Sequence, residues 1–589
     1  MRRAWPYLLF ALIAPILLLV IATGGAAQPL LTEGTPTAIG RGGAVATVET
    51  LASEAAVESL RDGANAVDAA VVAAAVLGVT EPFSCGIGGG GFMVIRTSDG
   101  EVTTIDHRET APAAMRPNSF FEGGVPLPFN DARYSGLSAG VPGTVRGWDE
   151  ALERFGTMSL EEALQPGIEV AREGFVIDPT FFSQTQQNLD YFDDVPSTRA
   201  LYLDPDGTPR DVGTVLRNPD LARAYERIGH LGAKGFYRGA IAAAMVEAVR
   251  YPPIAADANH VWRAGLMSMR DVMRYTAPER EPTRIGYRGL DVYSMGPPSS
   301  GGSTDGEALN ILEGFDLDAS DRAQALHFFL EASRFSFADR NAYLADPDYF
   351  EVPLRGLLSD GFAAERRALI DPNHAAMSPV PPGDPYPFDT AGQEAVTAEQ
   401  SETTTHLTVS DRWGNVVSYT YTIESTGGNG IVVPGWGFLL NNELTDFNFD
   451  SLTHPNRVEG GKRPRSSMSP TIVLDDGQPF LALGSPGGSM IITTVLQILV
   501  DRLDLGATLP EAIAEPRASQ RNTVLTAAEP AFISSPEGQE LIARFGHAFS
   551  TTAEIGAATG IEFLGGGRVL AAAEPQRRGG GSAMVEEPE

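Results

Sequence analysis

The spacing of hydrophobic positions changes along the chain and predicts helices and strands in turn. Residues 47–79 place Ala, Val and Leu at helical spacing, and the period breaks at 63–65, where Gly, Ala and Asn predict a turn between two helices. Two strand-like runs, at 92–96 and 102–106, stand on either side of Ser-Asp-Gly at 98–100. This pattern predicts a β-hairpin.

The second half of the chain changes from a helical to a strand-like pattern. Residues 160–369 are mostly helical in pattern, and residues 379–401, rich in Pro, Gly, Asp and Glu, predict a flexible segment. From Thr405 the pattern alternates, turns at 411–415 and alternates again through 416–423. Helices and strands are mixed without a βα repeat or an internal period, which predicts an α+β fold built in layers.

The first residues have the layout of a secretory signal peptide. Arg2 and Arg3 precede an apolar run over 7–22, and small residues follow at 24–27. Cleavage after Ala27 and export to the periplasm or the extracellular space are therefore predicted. Because the run is close to the roughly 20 residues that span a bilayer, an uncleaved N-terminal membrane anchor is the alternative.

The charge balance excludes one class of partner. The chain of 589 residues has 43 basic against 75 acidic residues, a net charge of −32, whereas a nucleic-acid-binding surface needs a basic face. No nucleic-acid partner is therefore predicted. Cys85 is the sole cysteine, which excludes an intramolecular disulfide, and the eight histidines show no zinc-enzyme spacing. No metal or organic cofactor is implied.

Two short motifs match by pattern but lack their structural context. Gly86, Gly88 and Gly91 fit the dinucleotide-binding pattern, yet a strand-like segment follows where that site needs a helix. Residues 136–140 fit the nucleophile-elbow pattern around Ser138, which needs a helix after the serine. Val-Pro-Gly follows at 141–143 instead, and Pro142 disfavours a helical residue before it. Both segments are predicted to be glycine-rich turns.

Three consecutive threonines at 403–405 lead from the flexible segment into a strand. A threonine hydroxyl is a poor nucleophile at neutral pH unless a base takes its proton, and a free α-amine on the same residue can be that base. Releasing this amine requires scission of the preceding peptide bond. Taken alone, the threonines indicate a β-prone run entering a strand, and only their neighbours in sequence favour a catalytic interpretation.

Those neighbours carry a family resemblance. Together with Thr404-Thr405-His406, three downstream segments resemble the small subunit of γ-glutamyltranspeptidases, N-terminal nucleophile hydrolases that cleave themselves: N-N-E-L-T-D-F at 441–447, K-R-P-R-S-S-M-S-P at 462–470 and G-S-P-G-G-S at 484–489. Upstream segments at 63–70, 88–93, 106–112, 140–144 and 297–302 also look like family segments and stand in family order. The resemblance runs from about residue 36 to residue 583.

The resemblance implies a fold and a processing event. The fold is the four-layer αββα sandwich of the N-terminal nucleophile hydrolases, with large and small subunits from one precursor. Scission of the Thr403–Thr404 bond would leave a signal peptide at 1–27, a large subunit at 28–403 and a small subunit at 404–589, the two subunits interwoven in one domain.

The resemblance also implies a set of catalytic residues. Thr404 would be the nucleophile both for scission and for turnover, and the hydroxyl of Thr422 would hydrogen-bond to it. The backbone N–H groups of Gly487 and Gly488 would form the oxyanion hole, which needs donors preset where the oxyanion develops.

Substrate-binding residues follow from the same resemblance. Arg108, with the hydroxyls of Ser466 and Ser467, would hold the substrate α-carboxylate, and Asp446 with Glu443 would face the α-ammonium. Among the arginines, only Arg108 receives a task at the site.

Two glutamates depart from the commonest family pattern. Glu424 stands where many members carry an asparagine, and Glu443 where many carry a glutamine. With Asp446 they place three carboxylates around one ammonium, and like charges raise one another's pKa. One of these carboxyls is therefore expected to be protonated or paired elsewhere.

The implied reaction is a double displacement on γ-glutamyl amides. Glutathione and related γ-glutamyl compounds would be the donors, and water, amino acids or peptides the acceptors of the γ-glutamyl group. Two alternatives stay open: a glutaryl or cephalosporin acylase of the same fold, and an exported binding protein that never matures. An acylase substrate without an α-ammonium would leave the acidic residues of the site without a partner, which is costly when they are buried.

Overall fold

One large antiparallel sheet organises the molecule, for which the computed structural model describes residues 34–389 and 404–589. In sheet order its strands are Glu279–Arg280, Val102–Asp106, Gly90–Arg96, Val416–Thr422, Thr405–Ser410, Thr37–Thr47, Arg568–Ala573, Thr559–Gly565, Gln478–Gly484, Thr471–Asp475, Leu290–Ser294 and Thr283–Tyr287. Ser582–Pro588 also pairs with Thr37–Thr47. The predicted signal peptide and Thr403 lie outside the described residues.

Side-chain hydrogen bonds show that this sheet folds back on itself. The hydroxyl of Ser418 donates to the Leu483 carbonyl at 3.0 Å and accepts the Thr471 N–H at 3.0 Å. The Thr408 hydroxyl donates to the Thr559 carbonyl at 3.4 Å. Because these residues stand on strands that are not neighbours in the sheet, its two halves lie face to face as two layers.

Helices cover the outer face of each layer. One hydrophobic core includes the helices Thr50–Arg61 and Ala66–Thr80, and a second includes Gly301–Leu312, Arg322–Tyr343 and Met490–Leu503. The predicted four-layer αββα arrangement is confirmed. A sheet with apolar side chains on both faces requires this cover, because each face must be buried against another element.

The remaining elements connect these layers. The other helices of at least eight residues are Thr144–Phe155, Gln165–Glu173, Pro179–Phe192, Pro219–Leu231, Ala240–Arg250, Asp360–Arg367 and Pro536–Phe545. Shorter helices are Phe129–Arg133, Leu160–Ala163, Pro196–Tyr202, Lys234–Tyr237, Met269–Arg274, Leu354–Leu357, Leu509–Ala514 and Pro530–Ser534. Small sheets join Ala518–Ser519, Thr526–Ala528 and Phe549–Thr551, Phe121–Glu122 with Val125–Pro126, and Phe175–Val176 with Val215–Leu216.

Local sequence signals account for the first predicted elements. The predicted helix pair is confirmed as Thr50–Arg61 and Ala66–Thr80. The side chain of Asn65 accepts the N–H groups of the second helix's first turn, and the Asp68 carboxylate accepts the Asn65 N–H at 2.9 Å. This reciprocal cap satisfies donors that a helix start otherwise leaves unpaired, so the chain turns at the predicted place.

Both predicted hairpins are confirmed, and so are the two glycine-rich turns. The strand Gly90–Arg96 directly follows the glycine run, and a Cβ at Gly89 would lie 1.8 Å from the Thr422 carbonyl oxygen. Glycine therefore lets this backbone pass against Thr422, which explains the run without a dinucleotide. At the second motif, Gly136–Ser138 forms a 3₁₀ turn and the Ser138 hydroxyl donates to the Arg133 carbonyl at 2.6 Å.

Strands from the two sides of position 404 alternate in the sheet. Gly90–Arg96 pairs with Val416–Thr422, and Thr37–Thr47 pairs with Thr405–Ser410. Backbone hydrogen bonds therefore join the chain before and after the predicted scission point throughout the core. Within the described ranges, no helix combines the length and apolar character needed to cross a bilayer.

Candidate active site

Thr404 stands at the entrance to a central strand. It directly precedes Thr405–Ser410, whose register pairs Thr405 with Tyr421, so Thr404 lies opposite Thr422. The Thr404 hydroxyl donates to the Thr422 hydroxyl across 3.4 Å, at the long end of such bonds, and the Arg578 guanidinium donates to the Thr404 carbonyl at 2.7 Å. The proposed scission partner, Thr403, lies outside the described residues, so scission there stays a prediction.

Thr422 has a second contact that fixes its hydroxyl. The backbone N–H of Glu424 donates to this oxygen at 2.8 Å. A hydroxyl oxygen has two lone pairs, so it can accept this bond and the bond from the Thr404 hydroxyl together. Thr422 is therefore placed to orient the Thr404 hydroxyl, as the resemblance implied.

We expect Thr422→Val to lower kcat about 10-fold while changing KM little. Valine keeps the shape but removes one hydroxyl contact to the nucleophile, corresponding to about 1.4 kcal/mol in the activation barrier. Steady-state kinetics with γ-glutamyl-p-nitroanilide would measure both constants. Thr405→Val is the matched control, because the Thr405 hydroxyl has no partner among the described residues. Equal kcat values for the two variants would contradict a positioning role for Thr422.

Gly487 and Gly488 lie just before the helix Met490–Leu503, which Ser489 precedes as N-cap. Their φ angles are 131° and 60°, and their carbonyls accept the N–H groups of Met490 and Ile491. The N-terminus of a 14-residue helix presents positive partial charge, which favours a developing anion. This conformation suits the predicted oxyanion hole, whose role stays a prediction.

The predicted substrate-binding residues meet in a buried ion cluster. The Arg108 guanidinium donates to the carboxylates of Glu443 and Asp446, and to the carbonyls of Pro464 and Arg465 at 3.2 Å each. The three charged side chains are at most 1% exposed. Sequence reasoning gave Arg108 and the two carboxylates separate tasks, whereas the structure joins them by direct ion pairs.

The two predicted serines flank this cluster and are already engaged. The Ser466 hydroxyl accepts the Met468 N–H at 3.1 Å. The Ser467 hydroxyl accepts a hydrogen bond from Arg340 at 2.6 Å. Each hydroxyl retains its own proton for donation to a carboxylate.

The pKa values of the acidic residues are raised. Burial, with the charge of Asp446, raises the pKa of Glu424 to about 8. Burial also raises the pKa of Glu443 well above its ordinary value, with Arg108 opposing and Glu109 adding to the effect. The Glu424 carboxyl accepts hydrogen bonds from Ser425 and Asn442. These directions agree with the expectation that one carboxyl of the group carries a proton.

Glu109 is a member of the cluster that sequence reasoning missed. It is fully buried, and its carboxyl oxygens accept no hydrogen bond from a donor group of the described residues. Burial raises its pKa to about 8, and the Glu443 carboxyl lies close enough to affect it. A proton on either carboxyl lets the two share a hydrogen bond.

We expect the melting temperature of the protein to fall as pH rises from about 5 to about 8. With its folded-state pKa raised to about 8, Glu109 keeps its proton in the folded state over a range where the unfolded chain has released it. The folded state therefore binds more protons, and stability decreases with pH in this window. Thermal melts at several pH values should give a shallower slope for Glu109→Gln than for the exposed control Glu101→Gln. Identical slopes would contradict this assignment.

Two arginines reach the site from distant parts of the chain. Arg340, on the helix Arg322–Tyr343, donates to Ser467, and Arg578 donates to the Thr404 carbonyl. The sequence assigned a task at the site to Arg108 alone among the arginines, and the structure adds these two contacts. Neither arginine stands in a segment that carried the resemblance, so no signal in the sequence marked them.

Two histidines that are far apart in the sequence, His327 and His547, lie next to each other in the structure. Ligand atoms of His327, Glu331 and His547 all lie within 4.8 Å of one another in the interior. The two imidazoles hydrogen-bond to each other at 2.9 Å, and Glu331 accepts the Arg334 guanidinium at 3.0 Å. These protein contacts account for the cluster as a packed polar group.

Most of the chain is similar to proteins of known families. The family profile described as Gamma-glutamyltranspeptidase matches residues 52–584. The glutathione hydrolase proenzyme of Bacillus subtilis strain 168 is 38% identical over 535 residues, covering 88% of each chain.

Two solved structures extend the comparison. The cephalosporin acylase of Bacillus halodurans superposes with a TM-score of 0.82 at 27% identity, covering 97% of this chain and 100% of its own. The gamma-glutamyltranspeptidase of Helicobacter pylori superposes with a TM-score of 0.52 at 32% identity, covering 56% of this chain and 91% of its own.

Proposed function

The chain belongs to the gamma-glutamyltranspeptidase family, and from this premise we propose that Thr404 is the nucleophile of an autoprocessed γ-glutamyltranspeptidase and glutathione hydrolase. The observation that carries the proposal is the position of its hydroxyl, opposite Thr422 at the start of a central strand. Scission before Thr404 would convert its amide nitrogen into the α-amine that catalysis requires. The products are a large and a small subunit that share one sheet.

Turnover proceeds by double displacement. The Thr404 α-amine takes the proton of its own hydroxyl, and the oxygen attacks the γ-carbonyl carbon of the substrate. The tetrahedral oxyanion is stabilised by the N–H groups of Gly487 and Gly488. The C–N bond breaks, the amine leaves with a proton, and a γ-glutamyl ester forms on Thr404. Water, or the amine of an acceptor amino acid or peptide, then attacks the ester and restores the hydroxyl.

The ion cluster accounts for recognition of the γ-glutamyl group. The substrate α-carboxylate binds Arg108 with the hydroxyls of Ser466 and Ser467, while Glu443 and Asp446 receive the α-ammonium. Each substrate charge thereby meets an opposite charge in a site from which water is largely excluded. Glutathione and other γ-glutamyl compounds carry both charged groups on the same carbon, as this arrangement requires.

An acylase that removes glutaryl or cephalosporin side chains is the second candidate. The superposition on the Bacillus halodurans cephalosporin acylase over 97% of the chain favours it. A glutaryl group lacks the α-ammonium, so it would leave Glu443 and Asp446 without a substrate partner. Both carboxylates are already buried and paired with Arg108, so a glutaryl group would gain no further charge pair from them, whereas an α-ammonium would. We therefore prefer γ-glutamyl donors.

One purification and one pair of substrates separate these functions. We expect two bands on a denaturing gel, and the smaller subunit should begin Thr-Thr-His, the residues at 404–406. A single intact chain would support the unprocessed binding protein. Release of p-nitroaniline from the γ-glutamyl anilide but not the glutaryl anilide excludes the acylase, and the reverse preference overturns the proposal.

We further propose where the protein is located and which molecules it acts with. The basic and apolar start of the chain supports export to the periplasm or the extracellular space, with the N-terminal segment either cleaved after Ala27 or kept as an anchor. We propose amino acids and peptides as acceptors. The net charge of −32 argues against a nucleic-acid partner.

A further inference from the structure

A cavity of about 790 Å³ lies next to the loop at 106–112, which carries Arg108. Its walls come from residues 110–114, 265–276 and 461–463, together with the end of the helix Ala240–Arg250. Small-molecule sites in proteins commonly have volumes of about 300–1,000 Å³. The cavity is large enough for a ligand of several charged groups.

Four arginines line this cavity in a strongly acidic protein. They are Arg250, Arg270, Arg274 and Arg463. The first three are exposed, and in the described ranges none of those three forms an ion pair with a carboxylate. Acidic residues outnumber basic ones by 75 to 43 in the chain, so a cavity lined by three such arginines is opposite in charge to the protein as a whole.

The lining contains one acidic side chain, Asp271, and its hydrogen bonds go to groups other than the arginines. One oxygen of Asp271 accepts the Ser268 N–H at 2.8 Å and the Ser268 hydroxyl at 2.6 Å, and the other accepts the Ala113 N–H at 3.1 Å. This carboxylate is committed to capping the helix Met269–Arg274 and to holding residue 113. The arginine side chains of the cavity therefore keep their charge available to a ligand.

Arg463 has a different task, as part of the wall. It donates to the Thr276 carbonyl at 2.9 Å and lies 3.3 Å from the buried carboxylate of Asp106. Its position is fixed by these contacts, whereas the three exposed arginines can adjust to a bound anion. Planar guanidinium groups bind carboxylate and phosphate oxygens in pairs.

We propose that this cavity binds a multivalent oxyanion, carrying carboxylate or phosphate groups, through Arg250, Arg270 and Arg274. The lining holds four arginines and one carboxylate, and this excess of positive charge favours a ligand with two or more negative groups. Thr404 is not among the lining residues, but Thr110 and Ala111, from the loop that carries Arg108, are. Tyr275, one of the lining residues, donates its hydroxyl to the Arg108 carbonyl at 2.8 Å.

The test is direct binding to the purified wild-type protein, with no assay of turnover. Isothermal titration with citrate and with pyrophosphate at low salt should show saturable binding of at least one of them. Tighter binding of citrate identifies a carboxylate ligand, and tighter binding of pyrophosphate a phosphate ligand. Affinity should fall as NaCl rises from 50 to 300 mM, because the Debye length shortens.

Variants locate the binding to this cavity. Arg270→Gln/Arg274→Gln should weaken binding at least 10-fold, and Arg250→Gln alone should weaken it less. Arg238→Gln, at an exposed arginine outside the cavity, is the matched control and should bind as wild type does. Circular dichroism melts would verify that each variant is folded. No binding of either anion to wild type, or equal affinity in the double variant and the control, would overturn the proposal.

Discussion

The variant Thr404→Ala is expected to remain a single uncut chain and to lose activity by about 1,000-fold or more. One hydroxyl is proposed to attack the peptide bond in maturation and the γ-glutamyl carbonyl in turnover, so its removal stops both reactions. The fold should survive, because Thr404 precedes its strand and the ladder bonds of Thr405–Ser410 use backbone groups. A denaturing gel and p-nitroaniline release measure the two effects.

Two companion variants make this result specific. Thr404→Ser keeps a hydroxyl and should retain slow maturation and measurable turnover. Thr405→Ala removes the adjacent hydroxyl, which has no partner in the part of the chain that the structure describes, and should mature normally. If Thr404→Ala still produced a subunit beginning at residue 404, the nucleophile would have to be another group.

Arg108→Gln is expected to lower kcat/KM for γ-glutamyl-p-nitroanilide about 100-fold. A charge-assisted pair with the substrate carboxylate contributes about 2–3 kcal/mol, and tenfold in rate or affinity corresponds to about 1.4 kcal/mol. The variant should also be less stable, by about 3–5 kcal/mol, because Glu443 and Asp446 would be left buried without their cation.

The two effects of Arg108→Gln can be separated. Arg108→Gln/Glu443→Gln removes one stranded carboxylate and should recover part of the stability, measured by urea unfolding, without recovering kcat/KM. Arg116→Gln, at an exposed arginine in the same loop whose side chain donates to the Ala113 carbonyl, should change neither quantity. A wild-type kcat/KM in Arg108→Gln would remove this residue from the substrate site.

The local elements could be predicted from sequence because their signals are local. Helical periodicity with a Gly-Ala-Asn turn and alternation around short turns specify where helices, hairpins and strands lie. The confirmed helix pair and hairpins depend on contacts between residues close in sequence, such as the Asn65–Asp68 cap. The layered α+β character followed from the same patterns.

The resemblance supplied the identities of most site residues but not their contacts. It named Arg108, Glu443 and Asp446, yet Arg108 lies 335 positions from Glu443 and 338 from Asp446. All three form one ion cluster because the fold brings the 106–112 loop next to the 441–447 segment. The raised pKa values of Glu424 and Glu109 have the same origin, because burial is a property of the assembled core.

The sequence by itself determined the family, the order of the elements and the threonine at the head of a strand. Only the tertiary structure decided which groups touch that threonine and its neighbours: Thr422 and Arg578 at Thr404, Arg340 at Ser467, and the arginines around the cavity behind Arg108. The physical reason is distance along the chain. Periodicity and capping act over a few residues, whereas ion pairing and desolvation depend on which distant segments the sheet brings together.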